Sequence, residues 1–166
     1  MQDGIKTCAF TGHRQIKYEH QAELADLLSR AIEYAYSIGC RRFLAGGAIG
    51  FDTEAARAVL RFRLSHPDVS LVLVLPCVEQ SLHWSDRQRD AYEYTLNEAN
   101  EVRYISDFYY DGCMRERNLV LAEECDVMIA YVARSTSGAA QTVRMTQRLG
   151  KKVYNLYPEL DKRSKS

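Results

Sequence analysis

Three short segments of this chain combine small residues, hydroxyls and cations in patterns suited to holding an anion. The first, Thr11-Gly12-His13-Arg14, follows an apolar run. Small residues there let backbone N–H groups approach a ligand, and Arg14 can form paired hydrogen bonds to phosphate. A plain turn with a solvated Arg14 is the alternative. The second, Ala45-Gly46-Gly47-Ala48-Ile49-Gly50-Phe51-Asp52, leads from an apolar run into a helical pattern. It would offer unpaired N–H groups and the positive end of a helix dipole to an anion, with Asp52 as the helix cap. Gly46, Gly47 and Gly50 together exceed what a tight turn needs. The segment is neither a Gly-x-Gly-x-x-Gly fingerprint nor a P-loop, because no Lys-Ser/Thr follows. The third, Arg134-Ser135-Thr136-Ser137-Gly138-Ala139-Ala140-Gln141-Thr142, opens another helix with hydroxyls that can donate to phosphate oxygens, although Ser137 also suits an ordinary cap. One such loop is weak evidence, and two at the same end of one sheet are much stronger.

Other side chains extend this set or fall outside it. In Met114-Arg115-Glu116-Arg117-Asn118, Arg115 and Arg117 lie two positions apart and cannot share a helix face. One can turn toward a site while the other, expected to be Arg115, stays in solvent. His13 can act as an acid or base, but no partner carboxylate is identifiable, so hydrogen bonding to a ligand is its expected role. His20, His66 and His83 have no metal-ligand spacing, and Trp84 is expected to pack rather than stack on a base. The candidate ligand-binding residues are therefore Thr11, Gly12, His13, Arg14, Gly46, Gly47, Gly50, Asp52, Arg117, Asn118, Ser135, Gly138 and Thr142. No catalytic residue, metal or cofactor is assigned.

The elements that must position these residues alternate along the chain. Strand-like runs cover residues 7–10, 42–45, 71–75, 102–105, 127–132 and 152–156, with Pro76 closing the third. Between them, apolar residues recur at helical spacing, as in Leu24, Leu27, Leu28, Ala31, Ile32, Ala35 and Ile38, before Gly39 ends that helix. Further helices are read from Asp52 to before Pro67, over 85–97, 114–124 and 138–149. This β-α alternation predicts an α/β, Rossmann-like, doubly wound, mostly parallel sheet with helices on both faces, as one domain over 1–160. A loose charged tail is expected over 161–166. Ligands of such sheets bind outside the carboxyl ends of the strands, where strand order reverses. The expected order is 3-2-1-4-5 with the last strand beyond the fifth, which puts the Thr11-Gly12 loop beside the loop before Met114.

Composition narrows the partners. The 166 residues are 46% hydrophobic and carry 22 cationic and 22 acidic side chains, so no long-range field favours nucleic acid or an anionic membrane. The 11 tyrosines show no stacking array. No apolar run approaches the roughly 20 residues of a membrane span. The N-terminal Met1-Gln2-Asp3-Gly4 lacks a basic segment followed by an apolar one, so no signal peptide is expected. The 5 cysteines are scattered without a Cys-x-x-Cys pair, which argues against zinc or a redox dithiol and suits a cytoplasmic setting.

Taken in order, Thr11-Gly12-His13-Arg14, Gly46-Gly47-Ala48-Ile49-Gly50-Phe51-Asp52-Thr53-x-Ala55-Ala56, Arg117-Asn118, the run from Asp126 through Ala130, Gly138 and Thr142-Val143 resemble the YpsA-like branch of the SLOG superfamily. The likeness covers nearly the whole chain. That superfamily includes the Lonely Guy phosphoribohydrolases and DNA-processing protein A. The resemblance implies a Rossmann-like sheet, a pocket for nucleotides or nucleotide-derived ligands, and a homodimer. Lonely Guy enzymes carry Met-x-x-Arg-Lys and then Pro-Gly-Gly-x-Gly-Thr-x-x-Glu, whose Arg and Glu are implicated in cleaving an N-glycosidic bond. Here Asn118 replaces the Lys, Ala139 and Gln141 replace two glycines, and Met145 stands where the acid belongs. A thioether cannot supply a carboxylate's charge or proton transfer. The expectation is a binding or sensing module for a phosphate-bearing nucleotide or nucleotide-derived molecule, without turnover. The alternatives are an N-glycosidic hydrolase of nucleoside monophosphates and a single-stranded DNA binder. No membrane partner is expected, and nucleic acid is disfavoured.

Overall fold

Each apolar run becomes a parallel strand because the amphipathic helix after it returns the chain to the same end of the sheet. The structure, a computed structural model, describes residues 5–133 and 136–165. In chain order the elements are β1 (Lys6–Gly12), α1 (Gln21–Ser37), β2 (Cys40–Ala45), α2 (Phe51–Arg63), β3 (Ser70–Cys77), α3 (Asp86–Glu98), β4 (Glu101–Ser106), α4 (Cys113–Glu124), β5 (Val127–Tyr131), α5 (Gly138–Arg148), β6 (Lys152–Asn155) and α6 (Tyr157–Ser164). A 3-10 turn at Tyr18–His20 precedes α1. All the strand pairings are parallel, so the fold is an α/β, Rossmann-like sheet.

The strand order is β4-β3-β2-β1-β5-β6, which corrects the expected order. The fourth strand does not neighbour the first. It lies at the far edge, outside β3, and β5 takes the place beside β1. The physical reason is legible in the strands themselves. β4 carries Glu101 and Arg103, and Arg103 pairs with Glu124 at 2.9 Å, so this strand suits an edge. β5, Val-Met-Ile-Ala-Tyr, is buried throughout and suits the interior. The reversal therefore falls between β1 and β5. Helix α4 crosses back over β3 to reach β5, which still brings Met114 to the first loop, where Arg14 Nη2 lies 3.5 Å from its sulfur.

Side-chain alternation divides the core into two layers. Cys8 and Phe10, Phe43, Leu71, Leu73 and Leu75, and Ile129 and Tyr131 pack with α1 and α2 on one face. Ala9, Leu44, Val72, Val74 and Met128 face Leu121 of α4 on the other.

Three local expectations are also corrected. β3 runs through Pro76 to Cys77 rather than ending before it. Gly50, not Asp52, holds the N-cap position of α2. Asp161 and its neighbours, expected in a loose tail, form α6 instead. That helix is anchored through His20, which is fully buried. Asp161 accepts from His20 Nε2 at 2.7 Å, Tyr131 Oη lies 2.7 Å from Nδ1, and Tyr131 also accepts the Lys17 N–H at 3.1 Å. With the carboxylate as acceptor, Nε2 carries a proton, and in the neutral form of the ring Nδ1 receives the Tyr131 hydroxyl. Among the described residues no helix is long and apolar enough to cross a membrane.

Candidate functional site

A cavity of about 500 Å3 opens at the carboxyl ends of β1 and β5, the position where an open α/β sheet leaves a crevice. The loop after β1 contributes Thr11, Gly12, His13, Arg14 and Gln15. Ala48, Ile49 and Asp52 form the wall at the start of α2, and Ser137, Gly138 and Ala139 form the one at the start of α5. Helix α4 supplies Met114, Arg117, Asn118 and Leu121. Their spacing of three, four and seven residues from Met114 puts all four on one face. Met114 and Leu121 were absent from the candidate set, although this spacing announces them once Arg117 and Asn118 are chosen. Gln15, Ala48 and Ile49 had no chemical signal beyond adjacency to chosen residues.

Of the residues expected at the site, Thr11, Gly12, His13, Arg14, Asp52, Arg117, Asn118 and Gly138 are brought together around this cavity. Ser135 lies outside the described residues. Gly46, Gly47, Gly50 and Thr142 do not line the cavity. Gly47 packs beneath Leu75 and Gln80, whose side-chain amide donates to the Gly47 carbonyl at 3.2 Å. Thr142 is buried and turns its hydroxyl back to the Gly138 carbonyl at 2.9 Å. Gly46 acts through close approach. A Cβ there would stand 2.6 Å from Arg117 Nη1 and 2.9 Å from Asp52 Oδ2.

Arg117 is 6% exposed. Its Nη1 donates to the Gly46 carbonyl and its Nε to Asn118 Oδ1 at 2.8 Å. Burial holds its pKa below the ordinary arginine value, while the nearby Asp52 carboxylate opposes that shift. Asp52, on the first turn of α2, accepts the Ala48 N–H on Oδ2 at 3.3 Å. Its pKa is pushed up to about 6 by burial, against the pull of Arg117, the Ala48 N–H and Arg14. His13 lines the cavity, and its Nε2 accepts the Ala133 N–H at 2.8 Å. That bond ties the end of β1 to the segment after β5, and it requires the ring's remaining proton on Nδ1 in the neutral form. Ser137 caps α5 by accepting the Ala140 N–H at 3.1 Å, leaving the first N–H groups of that helix at the cavity wall.

Arg14 is exposed and also lines a second cleft of about 480 Å3, together with Ile49, Arg57 and Arg87. Arg115 and Met145 lie elsewhere, on a surface shared with Leu119, Arg144 and Arg148. Met145 therefore does not line the cavity. Trp84 packs edge-on against Tyr92, with ring centroids 5.1 Å apart.

Comparison with known proteins places these observations in a family. A model of the YspA SLOG family matches residues 8–157. The SPbeta prophage-derived protein YoqJ of Bacillus subtilis is 23% identical over 161 residues, covering 89% of this chain and 90% of that protein. A UPF0398 protein of Halalkalibacterium halodurans is 27% identical over 138 residues, covering 82% of this chain and 69% of its own length. Among solved structures, DNA processing protein A from Helicobacter pylori, described with a single-stranded DNA binding mode, superposes with a TM-score of 0.58 at 21% identity. DNA processing protein A from Streptococcus pneumoniae gives 0.63 at 16% identity. The match covers 89% and 90% of this chain but only 63% and 49% of those two chains, respectively. At these identities the likeness is one of fold.

Proposed function

The chain belongs to the YspA SLOG family, and we propose that it binds a phosphate-bearing nucleotide or nucleotide-derived small molecule in the cavity at the carboxyl ends of β1 and β5, as a binding or sensing module. The observation that carries this reading is Arg117. A guanidinium buried to 6% exposure beside a cavity, with Arg14 at the rim and the start of α5 opposite, is an environment suited to an anion. Turnover is not part of the proposal, because Met145, a thioether, stands where the resemblance to the Lonely Guy enzymes calls for the acid. Incubation with a panel of nucleotides, followed by mass spectrometry for retained ligand and released base, tests the reading. A retained phosphorylated compound with no released base is expected. Released base would establish the N-glycosidic hydrolase instead.

One observation favours a second reading, single-stranded DNA. Phe108 and Tyr109 are exposed in the loop leading to α4, and aromatic side chains are stacking platforms for bases. A labelled oligonucleotide in the same panel separates the two, and salt-sensitive binding of the oligonucleotide alone would favour DNA. The proposal includes a homodimer in a reducing cytoplasm. It is supported by an apolar groove at Leu27, Ala31, Tyr34 and Tyr154 and by 5 free, buried cysteines. Light scattering that reports a monomer at high micromolar concentration would refute the dimer.

A further inference from the structure

Helices α4 and α5 pack against each other and contribute to the cavity wall. Away from the cavity they leave a groove of about 370 Å3, lined by Arg115, Leu119, Gln141, Arg144, Met145 and Arg148. Arg115 and Leu119 lie four apart on α4, and the other four follow helical spacing on α5. No carboxylate lines this groove. The imbalance is local, because the whole chain is neutral. Residues 127–158 include no Asp or Glu but carry Arg134, Arg144, Arg148, Lys151 and Lys152. Elsewhere arginines are neutralised, Arg30 by Asp26 at 3.0 Å, Arg41 by Asp68 at 3.1 Å and Arg163 by Glu23 at 3.2 Å. Arg115 and Arg148 have no such partner among the described residues. Like charges gathered at one groove repel, and a complementary anion relieves that cost.

The other lining residues decide the kind of anion. Leu119 is 41% exposed and Met145 is half-buried, so the groove offers apolar surface among its cations. None of its side chains is aromatic, so bases find no stacking platform there. A second copy packed isologously would set arginine against arginine. A helix with apolar residues on one face and carboxylates beside them matches both the apolar surface and the guanidinium groups. We propose that the groove between α4 and α5 docks an acidic, amphipathic helical segment of a partner protein. This surface is separate from the ligand cavity and does not depend on what the cavity holds.

Fluorescence anisotropy with labelled peptides of about 18 residues tests it, the main probe having Leu on one helix face and Glu and Gln on the other. Two comparison peptides replace its Glu by Lys or its Leu by Ser, and a labelled single-stranded oligonucleotide is the last probe. Wild type binds the Leu/Glu peptide at least roughly 10-fold more tightly than either altered peptide. The double variant Arg115→Gln, Arg148→Gln weakens that binding by about 10-fold. The double variant Arg61→Gln, Arg87→Gln removes the same charge from other exposed positions and changes binding less than about twofold. An equal loss in both double variants would mean attraction without a site and would overturn the proposal. Failure of wild type to bind the Leu/Glu peptide, equal binding of the serine peptide, or binding of the oligonucleotide alone overturns it whatever the stability of the variants. A changed oligomeric state in Arg115→Gln, Arg148→Gln, read by sedimentation, would give the groove to a second copy instead.

Discussion

Asp52 and Arg117 meet at the Cα of Gly46, where an added Cβ would lie 2.9 Å from the Asp52 Oδ2 and 2.6 Å from the Arg117 Nη1. The glycine sets the spacing between the two charges. Gly46→Ala must displace one or both, and forcing atoms into packed space typically costs about 1–3 kcal/mol. Chemical denaturation of this variant should show a loss in that range, together with weakened binding of phosphorylated probes. Wild-type stability would mean that the Arg117 side chain is not held against Gly46.

Asp52 also predicts a pH dependence. Its folded pKa, about 6, stands above its ordinary value of 3.8 because burial disfavours the ion. The folded state therefore binds the proton more tightly than the unfolded state. Its stabilising contribution is complete below 3.8 and is lost as pH rises through about 6. The slope is at most about 1.4 kcal/mol per pH unit. Arg117 and Arg14 are the cations acting on the carboxyl. Asp52→Asn removes this titration, so its stability relative to wild type should rise between pH 4 and 7, by about 1–3 kcal/mol. Parallel stability curves for the two proteins over that range would refute the assignment.

The buried contact among Tyr131, His20 and Asp161 holds α6 to the core. Tyr131→Phe keeps the ring, which stacks on Phe51 with centroids 5.7 Å apart. It leaves the Lys17 N–H and His20 Nδ1 without the hydroxyl they share. Each buried polar group left unpaired costs about 1–3 kcal/mol. Thermal unfolding should show a clear loss, and proteolysis should cut first near α6. A melting temperature equal to wild type would show that the hydroxyl does not hold this helix.

Local chemistry in the sequence marked the cavity better than it marked the sheet. The loops after the first, second and fifth strands were recognisable from their small and hydroxyl residues, because anion binding at helix starts needs those types. The helix face of Arg117 and Asn118 was equally visible. Strand order was harder, since periodicity states what is buried but not beside what. The charges Glu101 and Arg103 were the available sign that β4 is an edge strand. The roles of Gly46 and Gly47 were misread because a glycine serves close packing and ligand approach equally well. In His13 the ring nitrogen bonds the Ala133 N–H, 120 residues along the chain, a pairing that no local pattern announces. The anchoring of α6 was hidden for the same reason.

Arg117 and Arg115 give a paired test of which face of α4 meets the ligand. A charge-assisted hydrogen bond contributes about 1.5–3 kcal/mol. Arg117→Ala should therefore weaken binding of a nucleoside monophosphate roughly 10- to 150-fold, and Arg117→Lys should recover part of it by keeping the charge without the planar fork. Arg115→Ala, on the surface with Arg144 and Arg148, should change binding little. Isothermal titration of variants with checked melting temperatures measures this. The reverse pattern would move the site to the other face of α4.

The central claim, that the cavity holds a phosphate group, is tested most directly by titrating wild type and Arg14→Ala with AMP and with adenosine. Arg14 is exposed, and its guanidinium donates to the Met114 sulfur at 3.5 Å, so its removal should change stability little. The account predicts that wild type binds AMP at least about 10-fold more tightly than adenosine, and that Arg14→Ala loses much of that difference while its adenosine affinity is unaltered. Equal affinity of wild type for AMP and adenosine, or an AMP preference untouched in Arg14→Ala, would contradict it.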